Sequence, residues 1–248
     1  MSSQLANKVA VITGSSTGIG AGIAKAFAAA GASVVVNYQS NKSGGEAVVS
    51  DILASGGKAV TEGRNISRKA EAQALIDAAI KNFGRLDILV NNAALTDFGS
   101  LEEVSEEAFR RVFETNVLGT LFTIQAALKH LKAGASIINI GTAWTRHTPP
   151  NGSLYVGTKG AIDSITSVLA NELGPRQIRV NVLKPALTLT EKAVAFGIPD
   201  SNVAPFFLER TPLGRLGTVE DIASVAVFLA SDASAWITGQ HIHATGGF

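Results

Sequence analysis

The chain of 248 residues is 46% hydrophobic and 17% charged, a composition that buries a sizeable core and excludes intrinsic disorder. Its formal net charge is +1, with the basic residues scattered rather than gathered into a stripe, which excludes an electrostatic footprint for nucleic acid and favours a small-molecule partner. Cysteine is absent, so disulfides, thiolate nucleophiles and cysteine-based metal sites are excluded together.

The N-terminal MSSQLANKVA lacks a basic region followed by an apolar stretch, and no later run approaches membrane-spanning length; no membrane partner and a cytoplasmic location are expected. Apolar runs bounded by turn residues fall at 8–13, 33–38, 58–64, 86–91, 136–141, 178–183 and 241–245, and read as strands. Between them, amphipathic patterns at 18–30, 71–83, 153–173 and 219–231 read as helices. Alternation of this kind requires crossover connections, so the expected fold class is α/β, a doubly wound parallel sheet of about seven strands with helices on both faces. No composition shift or repeat divides the chain. Residues 1–248 are therefore expected to form one domain, with the weakly patterned, proline-containing stretch 186–217 as a substrate-side lid. Such sheets bind ligands beyond the carboxyl ends of their strands, which directs attention to the residues that follow each one.

After the first strand comes TGSSTGIG, residues 13–20. Gly14 permits a tight turn, Gly18 lets backbone approach a pyrophosphate, and Gly20 lets the following helix pack closely, while the helix N-terminus presents unpaired N–H groups to an anion. The spacing is not GxGxxG, and an ordinary strand-to-helix connection is the alternative; placement before an alanine-rich helix favours dinucleotide binding. After the second strand, where a carboxylate would hold the hydroxyls of an adenosine ribose, the chain reads Asn37, Tyr38, Gln39, Ser40, Asn41, Lys42. Several donors and one cation without a carboxylate predict NADP(H) over NAD(H), against a polar loop tolerant of either.

The stretch after the fifth strand holds Thr142 and then Tyr155, one of two tyrosines in the chain, with Lys159 one helical turn beyond it. A free tyrosine has a pKa of about 10. A cation at about 4 Å stabilises phenolate by about 1 to 4 kcal/mol, depending on the effective dielectric. Lys159 is therefore expected to bring Tyr155 down toward a range useful for general acid and base work; a partly buried tyrosine beside a solvated lysine is the alternative.

Taken with TGSSTGIG, the segments NNAA (91–94), NVLG (116–119), YVGTK (155–159), KPAL with Thr190, and the C-terminal TGG make the whole chain resemble the short-chain dehydrogenase/reductase family, in its compact single-domain form. The resemblance implies a Rossmann-type sheet and an enzyme that interconverts a ketone and a secondary alcohol. In it Tyr155 would pass a proton to or from the substrate oxygen while hydride moves between substrate and nicotinamide. Lys159 would bind the nicotinamide ribose and tune Tyr155, Thr142 would steady the substrate carbonyl, and Asn116 would anchor a water in the proton path. The implied cofactor contacts are Gly14, Ser16, Thr17, Gly18, Ile19, Gly20, Asn37, Tyr38, Ser40, Asn65, Ile66, Asn92, Ala93, Ala94, Tyr155, Lys159, Pro185, Ala186, Thr188 and Thr190. A homotetramer built through the catalytic helices and the C-terminal segment is implied as well.

Four positions depart from the family pattern. Thr142 stands where serine is usual, Ala94 and Ala186 where glycine is usual, and Thr245 where aspartate precedes the final glycines. Alanine adds strain if either site needs a positive φ. Because Ala94, Thr142 and Ala186 fall near the reacting groups, a pocket reshaped by divergence or engineering toward a particular ketone is expected, with neutral drift as the alternative. A catalytically weak dinucleotide-binding scaffold or sensor is the competing functional reading. The substrate pocket is expected from Leu95, Trp144, His147, Leu187 and Phe196, with Phe206, Phe207 and Leu213 adding to an apolar wall; for His147 an ordinary polar loop is the alternative. His241 and His243 share a strand face without a carboxylate to complete a ligand set, so no metal is expected. Ser153 sits in no GxSxG elbow and is read as a helix cap.

Overall fold

The computed structural model describes residues 3–195, 197–201 and 203–248, Asp200 by its backbone alone; the expectation for Phe196 lies outside the described residues. In chain order the elements are β1 (Val9–Ile12), α1 (Gly18–Ala29), β2 (Ser33–Tyr38), α2 (Lys42–Ala54), β3 (Lys58–Gly63), α3 (Lys69–Phe83), β4 (Ile88–Asn91), α4 (Glu106–Phe113) and α5 (Gly119–Ala127). There follow β5 (Ser136–Ile140), α6 (Ser153–Leu173), β6 (Arg179–Pro185), β7 (Thr188–Leu189), α7 (Glu191–Ala195), α8 (Val203–Leu208), β8 (Gly217–Thr218), α9 (Val219–Ala230) and β9 (His241–Ala244). The main sheet has seven strands in the order β3-β2-β1-β4-β5-β6-β9, all parallel. This is the expected doubly wound Rossmann-type α/β fold.

Strand side chains alternate between two cores because successive Cβ atoms point to opposite faces. Ala10, Ile12, Val34, Val36 and Ile138 pack with Phe27 and Ile23 of α1 and with Ile222 and Leu229 of α9. Val9, Val11, Val35, Leu89 and Ile137 pack with Leu75 and Ile76 of α3, Ile124 of α5 and Leu173 of α6. Burial on both faces explains why the strands read as continuous apolar runs. No helix among the described residues is long and apolar enough to cross a membrane.

The strand order reverses between β1 and β4, so their carboxyl-end loops diverge and open a crevice. Helix α4 runs into α5 through a π-helical turn at Glu114–Leu118, and the short pairing of β7 with β8 brackets residues 190–216. Helix α6 starts at Ser153, but Gly152 occupies the N-cap position and no side chain caps it, so Ser153 is not the expected cap.

A buried guanidinium ties β6 to the C-terminal end of α9. Arg179 donates from Nη1 to Leu229 O at 2.9 Å and Ser234 Oγ at 2.8 Å, and from Nη2 to Ser231 O at 3.2 Å. Replacing Arg179 by Met removes these three charge-assisted bonds, leaving the two carbonyls to the hydroxyls of Ser136 and Ser234, and is expected to cost about 2 to 4 kcal/mol of unfolding free energy. A urea titration checks it, through a lower midpoint at unchanged slope.

Candidate active site

The crevice is built first from backbone. Gly14 and Gly18 have φ of +59° and +58°, the left-handed region that glycine enters without penalty. A Cβ on Gly14 would stand 2.8 Å from Ala93 Cα, and one on Gly20 would meet Asn92 Nδ2 and lie 2.7 Å from Gly14 O. The two loops are also bonded. Thr13 Oγ1 accepts from the N–H groups of Asn92 at 2.9 Å and Ala93 at 3.0 Å, while Asn92 Nδ2 donates to Thr13 O and Gly14 O. Helix α1 begins at this point with no side-chain cap and no acidic residue in its first turn. Its first N–H groups and the positive end of its dipole therefore face the crevice, an arrangement that fits the diphosphate of a dinucleotide. Ser16, Thr17 and Ile19 lie on this turn, and Thr190 meets it from the other side, its Cγ2 3.4 Å from where a Cβ on Gly18 would be.

At the end of β2 the side chains divide into two groups. Asn37 is buried; its Oδ1 accepts from Gly14 N at 3.1 Å, and its Nδ2 donates to Glu62 O and Arg64 O. It shapes the loop from beneath rather than offering its amide outward. The Tyr38 ring lies over Gly45 and Gly63, where an added Cβ would stand 2.8 Å from ring atoms. Ser40 is exposed, Asn41 caps α2 by accepting from Gly44 N at 3.1 Å, and Lys42 pairs with Glu46 at 3.6 Å. The sequence reading missed a second cation here, Arg64, whose N–H donates to Tyr38 O at 2.8 Å; its side chain contacts Glu62 at 3.3 Å. Its only sequence signal was its place at the end of the third apolar run. Asn65 turns its Oδ1 to Ser67, and Ile66 is buried against Gly119. Gln39, Asn65, Leu95 and Thr115 line a cavity of about 850 Å³.

Beyond β5 stand the four polar residues expected to carry chemistry. Asn116 lies in the π-helical turn, with Oδ1 accepting from Leu95 N at 2.7 Å and Nδ2 donating to Leu95 O at 2.9 Å and Thr158 Oγ1 at 3.0 Å. Thr158 Oγ1 in turn donates to Tyr155 O at 2.7 Å, so Asn116 braces the start of α6 against the loop after β4. Its own carbonyl accepts from Thr120 Oγ1 at 2.9 Å. Lys159 is buried, with Nζ donating to Ile140 O at 2.6 Å and standing 5.8 Å from the centre of the Tyr155 ring. Burial lowers the Lys159 pKa to about 8, against the opposing pull of Asp163. Tyr155 moves the other way. Burial pushes its phenol above the usual value and a hydrogen bond with the Thr142 side chain pulls it partly back. The shift is therefore opposite to the lowering expected from Lys159, because desolvation of the phenolate outweighs the opposing hydrogen bond from Thr142.

Set beside this geometry, comparisons with known proteins agree. A family model described as enoyl-(acyl carrier protein) reductase matches residues 14–248. An uncharacterized oxidoreductase of Methylorubrum extorquens is 52% identical over 99% of both chains. Versicolorin reductase of Emericella nidulans is 36% identical over 98% of this chain and 96% of its own. A solved short-chain dehydrogenase from Burkholderia cenocepacia in complex with NADP is 33% identical over 98% of each chain, with a TM-score of 0.92. An angucycline C-6 ketoreductase with bound NADP is 34% identical over 100% of this chain and 97% of its own, with the same TM-score of 0.92. The chain is a short-chain dehydrogenase/reductase.

In this dehydrogenase/reductase the departures from the family pattern carry no backbone strain. The described non-glycine residues with positive φ are Asn7, Asn151 and Gln177, so Ala94 and Ala186 sit in ordinary conformations. Ala186 and Leu187 pack on a cluster of Ala143, Trp144, Phe207 and Phe248; Pro185 ends β6 and is buried, and Thr188 Oγ1 donates to Ala186 O at 3.1 Å. The Trp144 ring centre is 5.2 Å from Phe207, 5.9 Å from Phe248 and 6.5 Å from Phe206, and His147 meets Phe248 edge-to-face at 4.9 Å. Of the residues expected around a pocket, Trp144, His147, Leu187, Phe206 and Phe207 thus gather at this cluster, whereas Leu95 lines the cavity beside Gln39 and Leu213 is mostly exposed. Phe248, and Phe98 at 5.6 Å from Tyr155, were missed, since isolated aromatics in loops and near a terminus carry no periodic signal. His241 Nε2 lies 3.2 Å from Asp163 O, and no cluster of three or more metal-ligating side chains occurs among the described residues.

The Thr142 hydroxyl is the group that opposes burial at Tyr155. In a Tyr38→Phe background, which leaves one phenol, Thr142→Val is expected to move the phenolate absorbance to higher pH, whereas Thr142→Ser leaves it in place. An ultraviolet pH titration decides, and an unmoved curve for Thr142→Val removes the coupling.

Proposed function

We propose that this oxidoreductase interconverts a ketone and a secondary alcohol with NADP(H), with Asn116, Thr142, Tyr155 and Lys159 as its catalytic set. The observation that carries the reading is the buried Lys159 ammonium, anchored on the Ile140 carbonyl at the end of β5 and 5.8 Å from the centre of the Tyr155 ring, with Thr142 two residues beyond that carbonyl. A bound nicotinamide would supply or accept hydride at the substrate carbon. For reduction, burial keeps the Tyr155 phenol loaded with its proton at neutral pH, and Tyr155 delivers it to the carbonyl oxygen that the Thr142 hydroxyl orients. Lys159, charged below about 8, stabilises the phenolate left behind. Activity that needs this charge is full at lower pH and is lost as pH rises through about 8.

The diphosphate would lie on Gly14, Gly18 and Gly20 with Ser16, Thr17 and Ile19. The nicotinamide half would reach Asn92, Ala93, Ala94, Pro185, Ala186, Thr188 and Thr190. Preference for NADP(H) is supported by the lack of a carboxylate directly after β2 and by the cations Lys42 and Arg64 near that end; two of the solved relatives hold NADP. The wall of Trp144, Phe206, Phe207 and Phe248 suits a flat aromatic ketone, with the methyl groups of Ala94, Thr142 and Ala186 narrowing the approach and residues 186–217 acting as a lid. The same reading includes a homotetramer. Trp236 is 100% exposed, with Val168 of α6 and Phe228 of α9 also exposed, and apolar area of this kind marks a protein interface.

Tyr155→Phe is expected to lower kcat for reduction of β-tetralone by about a hundred- to ten-thousand-fold while NADPH binding, followed by fluorescence, is unchanged. Retained turnover sinks the assignment. A panel of β-tetralone, acetophenone and cyclohexanone that gives NADPH binding without oxidation would instead favour a silent dinucleotide-binding protein. For the assembly, Trp236→Glu is expected to yield a smaller particle by light scattering; an unchanged mass moves the interface elsewhere.

A further inference from the structure

Below the Tyr155–Lys159 pair lies a second buried charge cluster that the mechanism above does not use. Asp163 follows Lys159 by one turn on the same face of α6. Its Oδ2 accepts from Lys184 Nζ on β6 at 2.6 Å, and both side chains are nearly inaccessible. Lys184 Nζ also donates to Thr145 Oγ1 at 2.9 Å, and Thr145 Oγ1 donates to Thr142 O at 3.2 Å. The lysine stem reaches this position by passing Gly141, where an added Cβ would stand 3.0 Å from Lys184 Cγ. The short segment 140–142 is thus held at each residue: Lys159 on the Ile140 carbonyl, the Lys184 stem against Gly141, and Thr145 on the Thr142 carbonyl. Asp163 Oδ1 is buried with no hydrogen-bond partner, so part of its negative charge is uncompensated by any donor and acts on its neighbours.

Resting on the proposed function, we propose that Asp163 and Lys184 are positioning residues for proton transfer: Asp163 keeps Lys159 charged, and Lys184 fixes the Asp163 carboxylate and the turn that presents Thr142. The direction of Asp163's effect on Lys159 agrees, since its charge opposes the lowering by burial. The other charged or titratable groups around the carboxylate are Tyr155 on α6, Arg146 in the turn after β5, and His241 and His243 on β9. His241 contacts the Asp163 carbonyl, and His243 is held below its usual value by burial, then by Lys184 and Arg146. A buried ion pair that only stabilised the fold would be replaceable by apolar side chains without consequence for the chemistry. Here the carboxylate lies one turn from Lys159 on α6, and Lys184 opposes its effect by competing for it.

That opposition gives the test. The pH dependence of kcat/KM for β-tetralone reduction is measured with saturating NADPH, alongside a thermal melt for each variant. In Asp163→Asn/Lys184→Met, the net charge of the pair is kept while the carboxylate beside Lys159 is removed, and the alkaline limb is expected to move down by about one pH unit. In Lys184→Met the carboxylate is left to Lys159 alone, and the limb moves up; Asp163→Glu, which keeps the charge, restores the wild-type limb. Limbs that move in the same direction, or that stay in place in folded variants, overturn the proposal. If the double variant does not fold, Lys184→Met decides alone, and a limb that is unmoved or lowered overturns it. Tyr155→Phe separates the two readings: its inactivity with unmoved limbs refutes the positioning pair only, whereas its activity refutes the proposed function itself.

Discussion

The constraint on which the site depends is the burial of an ammonium group at the end of a parallel strand. Lys159 has one hydrogen-bond acceptor recorded at its Nζ, the carbonyl of Ile140 at 2.6 Å, and a charged group taken from water without compensation shifts its pKa instead of remaining charged at any pH. The lowering to about 8 is therefore what this position imposes. Two neighbours work to keep the remaining charge, the last carbonyl of β5 and the carboxylate of Asp163, on a helix whose face carries Tyr155, Lys159 and Asp163 in successive turns. A solvated lysine at the same spacing would feel none of this.

Such a charge acts usefully only if its neighbours do not move, and the loops around it are cross-braced rather than loose. Thr13 and Asn92 lock the turn after β1 to the turn after β4. Asn37 holds Gly14 from the side of β2. Asn116, carried in the one-residue irregularity between α4 and α5, joins the Leu95 loop to the first turn of α6; π-helical turns recur at functional sites because they re-aim a side chain that a regular helix would point elsewhere. Polar side chains bonded to backbone in this way fix the positions of the groups that face a ligand.

Much of this was legible in the sequence, and what was not has physical reasons. All seven main strands lie where the runs were read; the five inner ones are buried on both faces and need no alternation, while the edge strands β3 and β9 are only partly buried and are marked by the turn residues that bound them. β6 continues through Lys184 and Pro185 because β9 offers pairing there, a long-range effect that local pattern does not contain. Helices α4 and α5 carry a broken period, since the extra residue of the π-helical turn shifts the phase between them. The glycines of 13–20 were readable because their conformations follow from backbone sterics alone. By contrast, the neighbour relation of Tyr155 and Lys159 follows from spacing, but the sign of the Tyr155 shift follows from burial, which spacing does not report. Asp163 and Lys184 meet only through the fold, one on a helix and one on a strand.

The two shifts together determine which proton leaves first. With Tyr155 above its usual value and Lys159 at about 8, raising the pH discharges the lysine before it ionises the phenol. The form in which a phenolate faces an ammonium is then not the one the chain adopts by titration. Burial favours a protonated phenol beside a charged lysine, the form from which the proposed carbonyl reduction would start. The phenolate created when the proton leaves is stabilised by that same ammonium, so Lys159 favours the end of the transfer more than its beginning, which is how a fixed charge lowers a barrier. In the proposed reaction this ordering suits Tyr155 to proton donation, and it comes from desolvation rather than from the identity of the residues.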